Sequence, residues 1–311
     1  MTGRLSAGIL LLAGALTGFA QDAKPVAATP HAKPTYVGSE VCSACHDEIA
    51  KAFERNPHAA VNRADRHGFT GKACEACHGP GSVHAESVQA ADIRQPAKLG
   101  AAEADRICME CHRNRPTSAG RIESGHAQNQ IPCTACHSIH AHGPEGLVSR
   151  KPKEINAQCA GCHETEMAAF ELPFRHRVSE GAMSCVDCHN PHGSFRAGLL
   201  EKTSANEPGC FRCHGDKRGP FTFEHAPVRF ESCGTCHEPH GSANAKMLIR
   251  EEVRLVCLEC HANLPPLPNA TPAVAGVIPP SSHDLTSPRY RNCSVCHQKV
   301  HGSYVDRNLL R

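Results

Sequence analysis

Tryptophan is absent from this 311-residue chain, tyrosine occurs three times and phenylalanine ten times, so aromatic side chains make up only 4% of it. Strand-like alternation of apolar and polar residues is almost missing, and apolar segments long enough for substantial helices are few. These shortages exclude a conventional core, because a fold of this length normally rests on buried aromatic and branched side chains. Charge of either sign is also not in excess, with 33 Lys and Arg against 31 Asp and Glu. A nucleic-acid binder usually shows a basic surplus, so that class is not supported.

What the chain does have is 20 cysteines and 23 histidines. Every cysteine belongs to a Cys-x-x-Cys-His motif: Cys42/Cys45, Cys74/Cys77, Cys108/Cys111, Cys133/Cys136, Cys159/Cys162, Cys185/Cys188, Cys210/Cys213, Cys233/Cys236, Cys257/Cys260 and Cys293/Cys296. The histidines that follow are His46, His78, His112, His137, His163, His189, His214, His237, His261 and His297. This is the attachment signature of c-type haem. Two thiols three residues apart on one tight turn reach both vinyl groups of a porphyrin, and the next residue then lies under the iron as proximal ligand. Disulfides and structural zinc use paired cysteines too, but neither requires histidine directly after the second one. With histidine at 23 of 311 positions, ten placements in ten by chance have a probability on the order of 10^-11. A thioredoxin-like redox motif comes once, on a βαβ unit, and fits no better. The expected cofactor is ten covalently bound haem c.

The first residues read Met1-Thr-Gly-Arg4, then an apolar run from Leu5 to Phe19, then Ala20. One basic residue, a short apolar stretch and small residues near the end describe a secretory signal peptide over residues 1–20. The run falls short of the roughly 20 residues of a membrane span, and no cysteine near the cut offers a lipid site. Residues 21–41 contain repeated Xaa-Pro steps and read as a flexible linker, leaving 42–311 as the haem-carrying domain. An exported, soluble protein agrees with haem attachment outside the cytoplasm. Twenty propionates and ten ferric centres would bring the mature chain to a net charge of about −9 when oxidised and about −19 when reduced, so reduction should draw in protons or cations.

The motifs alternate in kind, which divides the chain into five two-haem repeats starting near 42, 108, 159, 210 and 257. Each even motif carries a histidine upstream, namely His126, His176, His225 and His283, and another just downstream, namely His140, His192, His240 and His301. In the first repeat His84 is the downstream one. Upstream there are two candidates, His58 and His67; counting from the phenylalanines at 53 and 170 aligns His58 with His176, which favours His58. Ten second ligands are thus predicted: His58, His84, His126, His140, His176, His192, His225, His240, His283 and His301. His31, His67 and His142 are left over. Methionine is a poor rival, with Met167, Met183 and Met247 its only plausible members. Two imidazoles per iron remove the Met ligand that raises cytochrome potentials, and leave no open face for a substrate. The expected fold is a multihaem cytochrome c, mostly irregular with short α-helices and almost no β structure, an elongated stack of five repeats with haems as its core. Helices are predicted over Glu40 to Phe53, Ala101 to His112 and Glu154 to Phe170, with a proline-rich excursion over Leu264 to Ser282.

On these features the chain resembles the MtrA/DmsE-type periplasmic decahaem c-type cytochromes. The resemblance rests on ten motifs in about 300 residues, the Cys-His-Gly-Pro-Gly-Ser-x-His element from Cys77 to His84, and the Cys-His-x-x-His-Gly elements at His189 and His237. It implies an electron-transfer protein rather than an enzyme, a bis-histidine haem wire at the periplasm and outer membrane inside a β-barrel partner. Its partners would be periplasmic electron-carrier cytochromes, an extracellular multihaem cytochrome or another external acceptor or donor, and no nucleic acid. Two rival readings are a multihaem enzyme of the nitrite or hydroxylamine type, which needs an iron with an open face, and a subunit of an extracellular cytochrome filament.

About 29 residues per haem in the mature chain is too little polypeptide to build its own interior, so haems and iron bonds must act as staples. The haem-free protein is therefore expected to be largely disordered. Far- and near-UV circular dichroism checks this, and a cooperative melting transition in the apoprotein would contradict it.

Overall fold

The computed structural model describes residues 33–115, 118, 120–140, 151–194, 197–203, 205–261 and 288–311. Eleven helices lie among them: α1 (Ser39–Ser43), α2 (Asp47–Phe53), α3 (Ala73–His78), α4 (Ser82–Ser87), α5 (Ala101–His112), α6 (Gly125–Gln128), α7 (Pro152–Ala160), α8 (Glu164–Ala169), α9 (Ala226–Phe230), α10 (Val253–Leu258) and α11 (Cys293–Cys296). Short 3-10 turns and irregular backbone connect them. The strands among the described residues are β1 (Phe223–Glu224) and β2 (Gly302–Ser303), two residues each. Mostly irregular structure with short helices and almost no β is the fold expected of this sequence.

Helix α5 has the bounds that its Ala-, Glu- and Arg-rich sequence predicts. The other two predicted helices are each broken in two. Residues 40–53 split into α1 and α2 at His46 (φ −112°, ψ 45°), and residues 154–170 split into α7 and α8 at His163 (φ −100°, ψ 54°). In both cases the motif histidine leaves helical backbone geometry and becomes the residue before the next helix. Apolar periodicity continues in phase across the break, so the sequence pattern does not reveal it.

The polypeptide interior is slight. Buried apolar residues among the described ones are Ala52, Ala59, Ala73, Ala101, Ala104, Phe170 and Val178. Five are alanines, and such small side chains bury too little surface to hold the repeats together. Polar bolts do part of the work. In the second repeat Asp105 Oδ1 accepts the backbone N–H of Cys133 at 2.8 Å, and Arg121, buried, pairs with the same carboxylate at 2.6 Å. In the third, Asn156 occupies the equivalent place three residues before the odd motif. Its Oδ1 accepts from Cys185 N at 2.9 Å, and its Nδ2 donates to the carbonyls of Val178 and Met183. In the first repeat Asn62 Oδ1 accepts from Ser39 Oγ and Ala73 N, while buried Glu75 accepts from the N–H groups of Val37, Gly38 and Gly81. Residues 35–39 are therefore docked onto the first repeat, and the held chain begins earlier than position 42.

Successive repeats join through short antiparallel contacts. Phe174 and Ser242 exchange backbone hydrogen bonds across repeats three and four. Phe223 pairs with Ser303, and Glu224 with Gly302, across four and five. The glycines that follow His240 and His301 sit at these joints because the chains approach too closely for a side chain. A Cβ on Gly241 (φ +154°) would lie 2.0 Å from the carbonyl oxygen of Ala169, and one on Gly302 (φ +146°) would lie 2.1 Å from the Phe221 ring. Gly241→Ala is therefore expected to destabilise the haem-loaded protein by about 1–3 kcal/mol. Chemical denaturation followed by circular dichroism measures it, and an unchanged midpoint would contradict the close approach.

Candidate functional site

Each motif folds as one tight turn. In eight motifs the histidine N–H donates to the carbonyl of the first cysteine four residues back, from His46 N to Cys42 O at 3.0 Å through to His297 N to Cys293 O at 2.9 Å; the other two lie within α3 and α5. Residues i, i+3 and i+4 then share one side of the turn, so both sulfurs and the imidazole point the same way. The thiols seen here stand in for the thioether sulfurs of a haem-loaded chain.

The sulfurs trace the order of the motifs. Within each repeat the first cysteine of the odd motif meets the first cysteine of the even one, in the pairs Cys42 with Cys74, Cys108 with Cys133, Cys159 with Cys185, Cys210 with Cys233 and Cys257 with Cys293. Between repeats the second cysteine of the even motif lies within electrostatic reach of the next odd motif: Cys77 of Cys111, Cys136 of Cys159 and Cys162, Cys188 of Cys210 and Cys213, Cys236 of Cys260. Every motif is thus beside the next one in the chain, and we number the sites 1 to 10 in that order. Two predicted attachment residues fall outside this pattern. Cys45 and Cys296 are the second cysteines of the motifs at 42 and 293, and both are exposed. The turn at Cys45 is nevertheless formed, its N–H donating to Cys42 O at 3.3 Å. Exposure at these two positions leaves the outer edges of sites 1 and 10 uncovered by the described polypeptide. All twenty thiols are free of disulfides. Burial pushes the Cys42 thiol up to about 11.

The second histidines fall opposite the motif histidines. The ring pairs are His46–His84, His78–His140, His112–His58, His137–His192, His163–His126, His189–His240, His214–His176, His237–His301 and His261–His225, with centroids 5.6–6.3 Å apart. Nine of the ten predicted second histidines therefore face nine of the ten motif histidines, one to one. His283 lies outside the described residues, as do His31 and His142. Of the two candidates in the first repeat, His58 faces a motif histidine, while His67 Nδ1 stands 3.8 Å from Cys111 Sγ.

Many of these rings are held by their Nδ1. His78, His84, His126, His176, His189 and His237 direct Nδ1 at the backbone carbonyls of Arg94, Gln89, Pro191, Pro239, Gly198 and Lys246. His225 is hydrogen-bonded to the backbone of Val300, and His297 to the Asn308 carbonyl at 2.7 Å. A carbonyl only accepts, so Nδ1 carries the proton and Nε2 is left with its lone pair. Burial, the main cause, lowers the proton affinity of His58, His137, His140, His192, His225, His240, His261 and His301. A neutral imidazole with free Nε2 is the form that binds a metal, and a held Nδ1–H raises its basicity.

The donor set fits a haem. Two metal–nitrogen bonds of about 2.0 Å, plus the distance from each nitrogen to its ring centre, place imidazole centroids roughly 6 Å apart across one ion, which is the separation found. Two imidazoles alone do not make a protein metal site. Among the described residues no group of three or more His, Cys, Asp or Glu side chains is placed to hold a metal ion. The same residues contain no helix long and apolar enough to cross a membrane. The carbonyl partners and the bolts at Glu75, Asp105 and Asn156 have no motif of their own in the sequence. The motif-minus-three position shared by Asp105 and Asn156 is the one visible signal for two of them.

Comparison with known proteins agrees. Residues 176–219 and 225–265 match the doubled CXXCH motif family. The chain is 36% identical over 270 residues to the multiheme cytochrome MtrA of Shewanella baltica (strain OS185), an alignment covering 86% of this chain and 78% of the relative. With the motif turns, the facing imidazoles and that identity together, the chain belongs to the MtrA-type multihaem c-type cytochromes, which carry covalently bound haem c.

Proposed function

We propose that this chain is an electron conductor in which ten haems c, each between a motif histidine and a second histidine, form one unbranched line from site 1 to site 10. The observation that carries the reading is the set of nine facing imidazole pairs strung in chain order. The haem supplies the redox couple and most of the apolar interior. The chain's own residues would do the rest: paired cysteines would hold the ring edge, the facing histidines would bind the iron, and backbone carbonyls keep the Nδ1 protons in place. Haems held in this way would exchange electrons with their neighbours by outer-sphere transfer and would offer no open face to a substrate.

The pairs cross between repeats. Sites 2, 4, 6 and 8 take their second histidine from the following repeat (His140, His192, His240, His301), and sites 3, 5, 7 and 9 take theirs from the preceding one (His58, His126, His176, His225). Each joint thus exchanges two ligands in opposite directions. At site 1 the facing histidine is instead His84, from the same repeat. The same rule leaves His283 for His297 at site 10.

By its family resemblance the conductor works in the periplasm at the outer membrane, within a β-barrel partner. It takes electrons from periplasmic cytochromes and passes them to an external multihaem cytochrome or another external acceptor, or carries them the reverse way. Two imidazoles per iron set the potentials well below those of Met/His cytochromes.

Replacing His192 tests the ligand set. His192→Ala is expected to keep ten attached haems by haemochrome counting and to turn one of them, at site 4, high-spin in electron paramagnetic resonance; unaltered ligation would overturn the assignment. The ring planes give a second expectation. They are near parallel at sites 1, 2, 4, 8 and 9 (10–18°) and steeply crossed at sites 3, 5 and 7 (60–66°). Parallel planes split the iron orbitals that overlap the imidazole π system more than crossed planes do. The oxidised protein should therefore show two populations of low-spin ferric signal, and one uniform population would count against these geometries.

A further inference from the structure

The joints between repeats are alike in three cases and different in one. At the second and third joints the ring that crosses from the earlier repeat donates its Nδ1–H to the carbonyl just before the ring that crosses the other way. His126 bonds to Pro191 O at 3.0 Å, beside His192, and His176 bonds to Pro239 O at 2.8 Å, beside His240. At the fourth joint His225 bonds to Val300, beside His301. The two exchanged histidines are thereby clasped to each other through one hydrogen bond.

At the first joint the equivalent bond would run from His58 to the carbonyl of Ile139, beside His140. Instead Asn56 stands between them. Its Nδ2 donates to Ile139 O at 3.0 Å, and its Oδ1 accepts from His58 Nδ1 at 3.0 Å and from His58 N at 2.9 Å. The orientation of the amide follows from its neighbours: the Ile139 carbonyl needs a donor and the His58 backbone N–H needs an acceptor. His58 must then present a protonated Nδ1 to Oδ1, with Nε2 facing His112. Asn56 lies two residues before its histidine, as Phe174 and Phe223 do before theirs, where those residues make backbone bonds across the joint.

Building on the ligand reading above, we infer that Asn56 is a positioning residue for site 3: an amide spacer that replaces the direct imidazole-to-carbonyl clasp. It orients the His58 ring and ties it to the segment carrying His140, the second histidine of site 2. The second partner of a metal-bound imidazole governs its orientation and basicity. Site 3 therefore has a side chain, and so a mutable handle, where sites 5, 7 and 9 have only backbone.

Two variants separate this role from a structural one. Asn56 also caps the 3-10 turn over Pro57–Asn62. Asn56→Asp preserves that cap, since Asp caps as well as Asn, and still accepts from His58, but it cannot donate to Ile139. Its carboxylate draws on the Nδ1 proton and makes His58 a stronger donor to ferric iron. The expected result is a negative shift of one haem's midpoint, an increase of up to about tenfold in its oxidised-to-reduced ratio at fixed potential, which for a one-electron couple is about 59 mV. Signals from site 2 should change as His140 loosens. Asn56→Ala removes the acceptor and should shift the same haem positively. Voltammetry and electron paramagnetic resonance on the ten-haem protein read both, with His58→Ala as control. Opposite shifts at one haem, the sites beyond 2 and 3 unchanged, support the inference. No shift in either variant, or an equal drift of all ten haems, overturns it while His58→Ala still yields one high-spin haem. If His58→Ala yields none, the ligand reading itself fails.

Discussion

Two imidazoles facing each other across about 6 Å are the constraint on which the rest of this molecule depends. Nine such pairs join segments as far apart in sequence as His237 and His301, and at the joints the two members come from different repeats. Among the described residues the buried apolar side chains are mostly alanines, which gain little from packing. The order must come instead from bonds that a few atoms make strongly, as in other scaffolds too small for their own core.

That constraint explains features that look unrelated. Glycine follows His240 and His301 because at the joints a Cβ would run into the Ala169 backbone in one case and the Phe221 ring in the other. Short β pairings sit at the same places, Phe174 with Ser242 and Phe223 with Ser303, because antiparallel backbone bonds satisfy polar groups where no side chains intervene. Within a repeat the two motifs are held instead by side chains that accept a backbone N–H, as Asp105 and Asn156 do. Repeats are thus bolted internally by polar side chains and clasped externally by exchanged histidines. Each repeat leans on its neighbours, in the manner of one-dimensional repeat proteins.

Much of the site is legible in the order of the residues. The motif spacing specifies the attachment points because two sulfurs and an imidazole need one tight turn, and the flanking histidines recur often enough to be counted. His58 is preferred to His67 on repeat spacing alone. The breaks at His46 and His163 are not legible, since helical periodicity runs through them. Nor are the roles of Glu75 and Asn56, which depend on backbone groups brought in from Val37, Gly81 and Ile139.

The sequence by itself determined the type of cofactor and the pool of candidate ligands: ten attachment motifs, and as many further histidines placed beside alternate ones. Only the tertiary structure decided which histidine faces which. Facing is a matter of distance through space, and the ring opposite His78 is that of His140, in the next repeat, although His84 is much nearer along the chain. A repeating sequence defines equivalent positions but not the direction in which they reach, because the same spacing serves a pair closed within a repeat or exchanged between two. Backbone contacts at the joints choose between these, and they exist only once the chain has folded.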